Sequence, residues 1–329
     1  MLSKDLIVKD NKLIRAKYSL NLHQTRFIAH MASRIERKDM DFFTYTIRLN
    51  ILLDILNIER RHWKRLEKTL TQLIAKIIVI EKSDLEITKT ALLSYFRIDK
   101  KSEIVEYRFD KSMKPYLLDL GNKFRKGSYT KLSFEKIVGF NSQYSAKLYE
   151  VLEMKAKQSE AYKNSAMLIF EYDLEELKEL LLGQYNLDTG EINIPKSYNV
   201  FGNFKKRVLD PANKELKEKG EYFFEYKTLK VKNRVHSIEF SIHKNSEKIK
   251  KDLKEKKRHV LLKGEEKQLV AEQIKRMLAR QGSKIKDKLK YEQKMMQLYF
   301  RGELKYDKDL QKIKEELDRK ALEKMMGSV

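Results

Sequence analysis

The chain has 329 residues, with 71 Lys and Arg against 48 Asp and Glu, a net charge of +23. An apolar share of 41% can fill packed cores, no run approaches the ~18 apolar residues of a bilayer span, and the absence of cysteine excludes disulfides and thiolate metal sites. So large a positive excess points to a polyanionic partner, nucleic acid or an acidic membrane surface; with no signal-type apolar core between Met1 and Asp10, a cytoplasmic protein is expected.

In chain order, the first predicted element is an amphipathic helix over Asn21 to Arg37, with Leu22, Phe27, Ile28, Met31 and Ile35 on its apolar side. A short strand at 43–49 follows, then helices over 51–56 and 60–76. In the latter, Trp63, Leu66, Leu70, Leu73 and Ile74 share one face and Arg61, Lys64, Arg65, Lys68 and Gln72 the opposite one. The β-branched runs 77–80, 91–98 and 103–109 then fit a hairpin or small sheet.

That order returns further along. A helix continues through 148–155, 167–172 is strand-like, and Asp173 is a good N-cap for a short helix carrying Leu174, Leu177, Leu180 and Leu181. A polar, turn-rich loop spans 183–196. Next comes a basic helix, 199–216, with Phe201, Phe204, Val208, Ala212 and Leu216 on one side and Asn203, Lys206, Arg207, Asn213 and Lys217 on the other. Pro211 predicts a kink there, or a break with Asp210 capping a new segment. The runs 222–228 and 234–242 form a final hairpin. A helix with an apolar back and a basic front, followed by a hairpin, has the order of a winged helix, whose basic face lies in the DNA major groove.

The expected fold class is therefore α+β: two tandem winged-helix domains, 1–158 and 159–243, with a basic, mostly helical C-terminal extension over 244–329. The extension holds 26 Lys and Arg against 15 Asp and Glu, and its apolar spacing is too broken for a long coiled coil.

Three segments carry a family resemblance. They are Asn11-Lys-Leu-Ile14-Arg-Ala-Lys-Tyr18-Ser-Leu20, Ser142-Gln-Tyr144-Ser-Ala-Lys147-Leu-Tyr149-Glu-Val-Leu152, and Tyr198-x-x-Phe201-x-x-Phe204-Lys-x-Arg207-Val-Leu-x-x-Ala212. In this order and spacing, over roughly residues 10–243, the chain resembles the iteron-binding plasmid replication initiators with two winged helices. The resemblance implies binding of double-stranded direct repeats at an origin, opening of a nearby AT-rich stretch, and recruitment of the host chromosomal initiator and replicative helicase. It also implies a monomer–dimer equilibrium through the first module and repression of the protein's own gene. Nothing is carried onto the extension.

Candidate base-edge residues are Asn203, Lys206, Arg207 and Asn213, since arginine can read guanine bidentately and asparagine adenine. Lys205 matches the family motif but lies beside the apolar face, where a phosphate is its expected partner. Arg61, Lys64, Arg65 and Lys68 are the first module's counterparts. Lys227, Lys230, Lys232 and Arg234 lie on the last hairpin, where they would meet the DNA backbone or minor groove. Phe201, Phe204 and Trp63 are expected in the core, Tyr144 and Tyr149 at the junction of the modules, and His23 and His30 in ordinary packing.

Enzyme readings are weak. No two histidines stand as His-x-His, which a tyrosine nickase would use to hold its metal, and Gly121-Asn-Lys-Phe-Arg-Lys-Gly127 lacks the spacing and lysine of a phosphate loop. The expectation is a binder without catalysis, cofactor or membrane span. The alternatives are a winged-helix transcriptional repressor without initiator activity, and a nonspecific basic scaffold or membrane-surface binder using the extension.

Overall fold

The computed structural model describes residues 6–36, 39–83, 86–120, 128–159 and 167–246. The helical extension expected over 244–329 and the glycine pair at 121–127 lie almost wholly outside them.

The first module opens with β1 (Leu6–Asp10), α1 (Asn11–Ile14) and α2 (Leu22–Ser33). Asn21 caps α2: its side chain accepts from the Gln24 amide at 2.9 Å, and the Gln24 side chain accepts from the Asn21 amide at 3.1 Å. The helix buries Phe27, Ile28 and Met31 and ends at Ser33, one turn short of the expected Arg37. His30 lies in the core, its Nε2 3.0 Å from the Tyr107 hydroxyl, and His23 Nδ1 is 2.8 Å from the Leu56 carbonyl.

Next come β2 (Tyr45–Arg48), α3 (Leu49–Leu56) and α4 (Lys64–Ile74). The single helix expected over 60–76 is instead a 3₁₀ turn, Arg60–His62, followed by α4, so Arg61 stands before the helix. The following strands are β3 (Ile77–Ser83), β4 (Glu86–Ala91), β5 (Leu93–Asp99) and β6 (Ile104–Phe109). They divide between two sheets: β3 and β4 form a hairpin of their own, while β5 and β6 join β2 in the order β2-β6-β5. Strand β4 has no counterpart in the sequence expectation. After α5 (Lys114–Leu117), β7 (Tyr129–Ser133) pairs antiparallel with β1, and α6 (Phe134–Gly139) leads into the long α7 (Gln143–Gln158).

The second module comprises β8 (Met167–Asp173), α8 (Leu174–Leu182), the two-residue pair β9 (Gln184–Tyr185) and β10 (Ile192–Asn193), and a helical run over 201–219. The final strands are β11 (Tyr222–Val231) and β12 (Arg234–Lys244). Asp173 caps α8, accepting from the Glu175 and Glu176 amides at 2.8 and 3.0 Å, and Leu174, Leu177, Leu180 and Leu181 are buried as their spacing predicts. The sheet order is β8-β12-β11. It repeats β2-β6-β5 strand for strand, so β3 and β4 are an insertion between helix and wing in the first module.

The helical run has three parts: α9 (Phe201–Phe204), a π-helical stretch Lys205–Leu209, and α10 (Asp210–Lys219). It neither breaks nor restarts at Asp210, whose φ of −64° and ψ of −46° are helical. Pro211 lacks an N–H, and its ring would press on the carbonyl four residues back; the wider π turn just before it relieves that contact. Asp210 is accordingly not a cap.

Helix α7 serves both modules. It buries Ala146, Leu148, Tyr149, Val151, Leu152 and Met154. Its Glu150 pairs with Lys9 at 2.6 Å, both buried. Across the junction, Tyr144 and Tyr198 hydroxyls are 3.3 Å apart, Lys219 Nζ donates to the Gly139 carbonyl at 2.9 Å, and the Asn141 amide donates to Glu215 at 2.7 Å. Phe27, Leu70, Tyr107, Tyr149, Phe204 and Phe240 belong to one continuous buried cluster.

Candidate nucleic-acid interface

The second module's run over 201–219 is fixed from behind. Phe204, Val208, Ala212 and Leu216 are fully buried, and Phe201 is packed against them half-buried. Lys205, Lys206 and Arg207 are exposed in consequence. Lys206 and Arg207 have no hydrogen-bond or ion-pair partner among the described residues, so their charged groups are available to a partner outside the chain.

The other candidate residues of this helix, Lys205, Asn203 and Asn213, are engaged. Lys205 Nζ binds both carboxylate oxygens of Asp210, at 2.9 and 2.7 Å, and Asp210 also accepts from the Tyr226 hydroxyl at 2.6 Å. The hydrogen bond to Asp210 raises the Lys205 pKa; burial and the same carboxylate push the Tyr226 hydroxyl up to about 12. Asn203 Nδ2 donates to the Ser197 carbonyl at 2.8 Å, and Asn213 Nδ2 to the Phe224 carbonyl at 2.7 Å. Both asparagines thus tie the helix to its neighbours, a role a helical wheel cannot reveal.

The wing is the β11–β12 hairpin. Lys232 and Asn233, with φ of 47° and 64°, make a two-residue turn in the left-handed region that suits the twist of a tight hairpin. Lys230, Lys232 and Arg234 are exposed around this tip; Lys227, further back, lies 3.8 Å from Glu239. Leu229 and Val231 are exposed beside them. Four cations on one protruding ribbon form a backbone-binding surface in charge and reach.

In the first module, α4 buries Leu66, Leu70 and Leu73 and exposes Lys64, Arg65 and Lys68, which have no side-chain partner among the described residues. Arg61, ahead of the helix, is paired with Glu59 at 2.6 Å, and Arg60 is hydrogen-bonded to Glu103. The first wing is the turn between β5 and β6, where Lys100 Nζ sits 4.0 Å over the Trp63 ring and Lys101 is exposed. Sequence reasoning passed over Lys100 and Lys101, because a charged turn reads as solvated loop until Trp63 is seen beside it. Arg97 and Glu106 on the same strands hold each other through two bonds, of 3.0 and 2.6 Å.

The arrangement offers positive charge on two protruding helices and two wings. Among the described residues no group of acids and histidines could hold a metal, and no helix is long and apolar enough to cross a membrane.

Comparison with known proteins agrees with this architecture. The family model for the Initiator Replication protein WH1 domain matches residues 6–153, and that for the Initiator Rep protein WH2 domain matches 173–242. A "Replication initiation protein" of Escherichia coli is 25% identical over 223 residues, 65% of this chain; the match spans 63% of that relative's length. Among solved structures, a Pi initiator protein in complex with iteron DNA superposes with a TM-score of 0.58 at 22% identity, over 74% of this chain and 99% of that one.

Proposed function

The chain belongs to the plasmid replication initiator family with two winged-helix domains, and from that premise we propose that it binds directly repeated duplex DNA at an origin through both domains. The observation that carries this reading is the repeated plan. In the sheets β2-β6-β5 and β8-β12-β11 the first strand precedes, and the last two follow, a helix whose apolar side is buried and whose cations face outward. Two such helices on one chain suit a long asymmetric site, read on successive faces about one helical turn apart.

In this proposal Lys206 and Arg207 contact base edges, and Asn203 and Asn213 hold the helix that presents them. Lys205 neutralises Asp210 and itself lies within reach of a phosphate. Lys227, Lys230, Lys232 and Arg234 grip the backbone beside the second helix, and Arg61, Lys64, Arg65 and Lys68, with Lys100 and Lys101, grip it beside the first. Phosphate contacts set affinity and register; base contacts set sequence choice. The binding serves replication initiation: opening of adjacent AT-rich DNA, engagement of the host initiator and helicase, and repression of the protein's own gene. No catalytic step is assigned to the chain.

The test is fluorescence anisotropy of the full chain with repeat-bearing DNA from beside its own gene, against a scrambled duplex of equal length over a salt series. A cognate preference on the order of 10³ or more is expected. Equal binding with a steep salt slope would mean that only backbone charge is read. Permanganate footprinting of the AT-rich stretch then separates an initiator, which opens it, from a repressor, which does not.

A further inference from the structure

The helix that presents Arg207 begins on two residues that break local rules and gain nothing inside the protein. Val200 occupies the N-cap, with φ −82° and ψ 115°, where Ser, Thr, Asp or Asn would close the first turn with a side-chain hydrogen bond. It makes no such bond, and the residue is 63% exposed. Two residues on, Gly202 lies in the first turn without a left-handed backbone, and an added Cβ would meet nothing within 4 Å. Glycine there weakens the helix and answers no internal need. Gly220, past the other end of the run, is the opposite case: a Cβ would stand 2.6 Å from the Tyr222 carbonyl oxygen.

The segment is nevertheless held firmly. Asn203 N–H donates to the Val200 carbonyl at 3.0 Å, its side chain donates to Ser197, Phe204 is buried one turn on, and the Tyr198 hydroxyl meets Tyr144. An exposed branched side chain, a bare patch of helix and the exposed Lys206 and Arg207 are thus presented together on a rigid support. Local rules broken without internal return mark a surface shaped for something outside the chain.

Major-groove edges of B-DNA carry hydrogen-bonding groups and a single apolar one, the C5-methyl of thymine. We propose that Val200 reads a thymine through that methyl group, and that the missing side chain of Gly202 lets the first turn approach the groove more closely than any other residue would allow. The proposal rests on the reading above, that this helix enters the major groove.

The experiment begins by selecting a preferred duplex from a random library with the full chain. Each thymine of that duplex is then replaced singly by deoxyuridine, which removes only the methyl. At one position the replacement should weaken wild-type binding about fourfold, the equivalent of one buried methyl group. Val200→Ala should bind thymine and deoxyuridine equally there and keep the wild-type response elsewhere. Gly202→Ala should melt at a higher temperature yet bind the selected duplex about tenfold or more less tightly, opposite movements that a purely structural glycine would not give. The proposal is overturned if no thymine position couples to Val200→Ala, or if Gly202→Ala binds as the wild type does. A selection that returns no preferred duplex overturns the site reading itself, and this inference with it.

Discussion

In the first winged helix Arg60 is held by Glu103 and Arg61 by Glu59, whereas Lys206 and Arg207 of the second meet no acid among the described residues. On the second helix the exposed Asp210 serves Lys205 and Tyr226, and the buried Glu215 serves Asn141 and Lys219. The two modules share a strand order and differ in which cations their carboxylates hold. Lys64, Arg65 and Lys68 of α4 are as free as Lys206 and Arg207, but the two arginines leading into α4 are neutralised, and a surface neutralised at its leading edge holds a polyanion more loosely than one whose cations next to the helix start are free. On the proposed function, the second module reads and the first clamps.

The largest expected effect concerns the apolar backing. Phe204 is fully buried, while its counterpart Trp63 is half-buried beneath Lys100. Phe204→Ala should lower stability by ~3–5 kcal/mol, and Trp63→Ala by distinctly less. Because both modules share one apolar cluster, each variant should melt in a single transition by calorimetry. Two separate transitions would show the modules to be independent and break the comparison at its base.

A second contrast lies in His30 of the first module. Burial, with a smaller contribution from Arg34, lowers its pKa from 6.5 to about 4. The unfolded chain therefore takes the proton first, and stability present above pH 6.5 falls as the pH drops toward 4, by up to ~3 kcal/mol. In urea titrations, His30→Gln should narrow its stability gap to the wild type over that interval. A constant gap would mean that the folded His30 titrates as an ordinary histidine.

Much of this plan was legible in the residues, for reasons that are local. Asp173 announces a helix start because its side chain caps, and the Leu174–Leu181 stripe announces its buried face. Strand β4 was not legible, since Glu-Ile-Thr-Lys-Thr-Ala mixes polar and apolar residues with little contrast between its faces. At Pro211 the difficulty was visible but its resolution was not: a π turn upstream leaves the same residues helical that a break would have freed. The site was legible only as a charged face. A wheel shows which way Asn203 and Asn213 point, but their partners, Ser197 and Phe224, come from the fold, as does the meeting of Lys100 with Trp63.

Next in size is the division between reading and clamping. Arg207→Ala should weaken cognate binding by ~1–3 kcal/mol and relax preference at one position. Arg65→Ala should weaken cognate and scrambled duplexes alike, by less. Anisotropy against a panel of single-base variants measures both. If Arg65→Ala relaxes preference as much as Arg207→Ala does, the two modules read equally. Smaller again is Lys230→Ala on the second wing, which should reduce the slope of log affinity against log salt by about one and leave sequence preference unchanged.

The smallest effect tests the first module alone. Glu103 has φ 53°, its backbone carbonyl accepts from the Leu49 amide at 2.8 Å, and its side chain engages Arg60. An exposed pair of this kind contributes about 0–1 kcal/mol, so Glu103→Gln should leave the melting temperature nearly unchanged. It removes a negative charge from the face proposed to lie on DNA and frees Arg60 for a phosphate. Affinity for selected and scrambled duplexes should then rise together, by roughly two- to fivefold at low salt, and the gain should fade as salt screens it. A rise confined to the selected duplex would give the first module a share in base reading. No rise at all would place the Arg60–Glu103 pair off the DNA surface, and would leave Lys64, Arg65 and Lys68 as the contacts on which the first module's clamp depends.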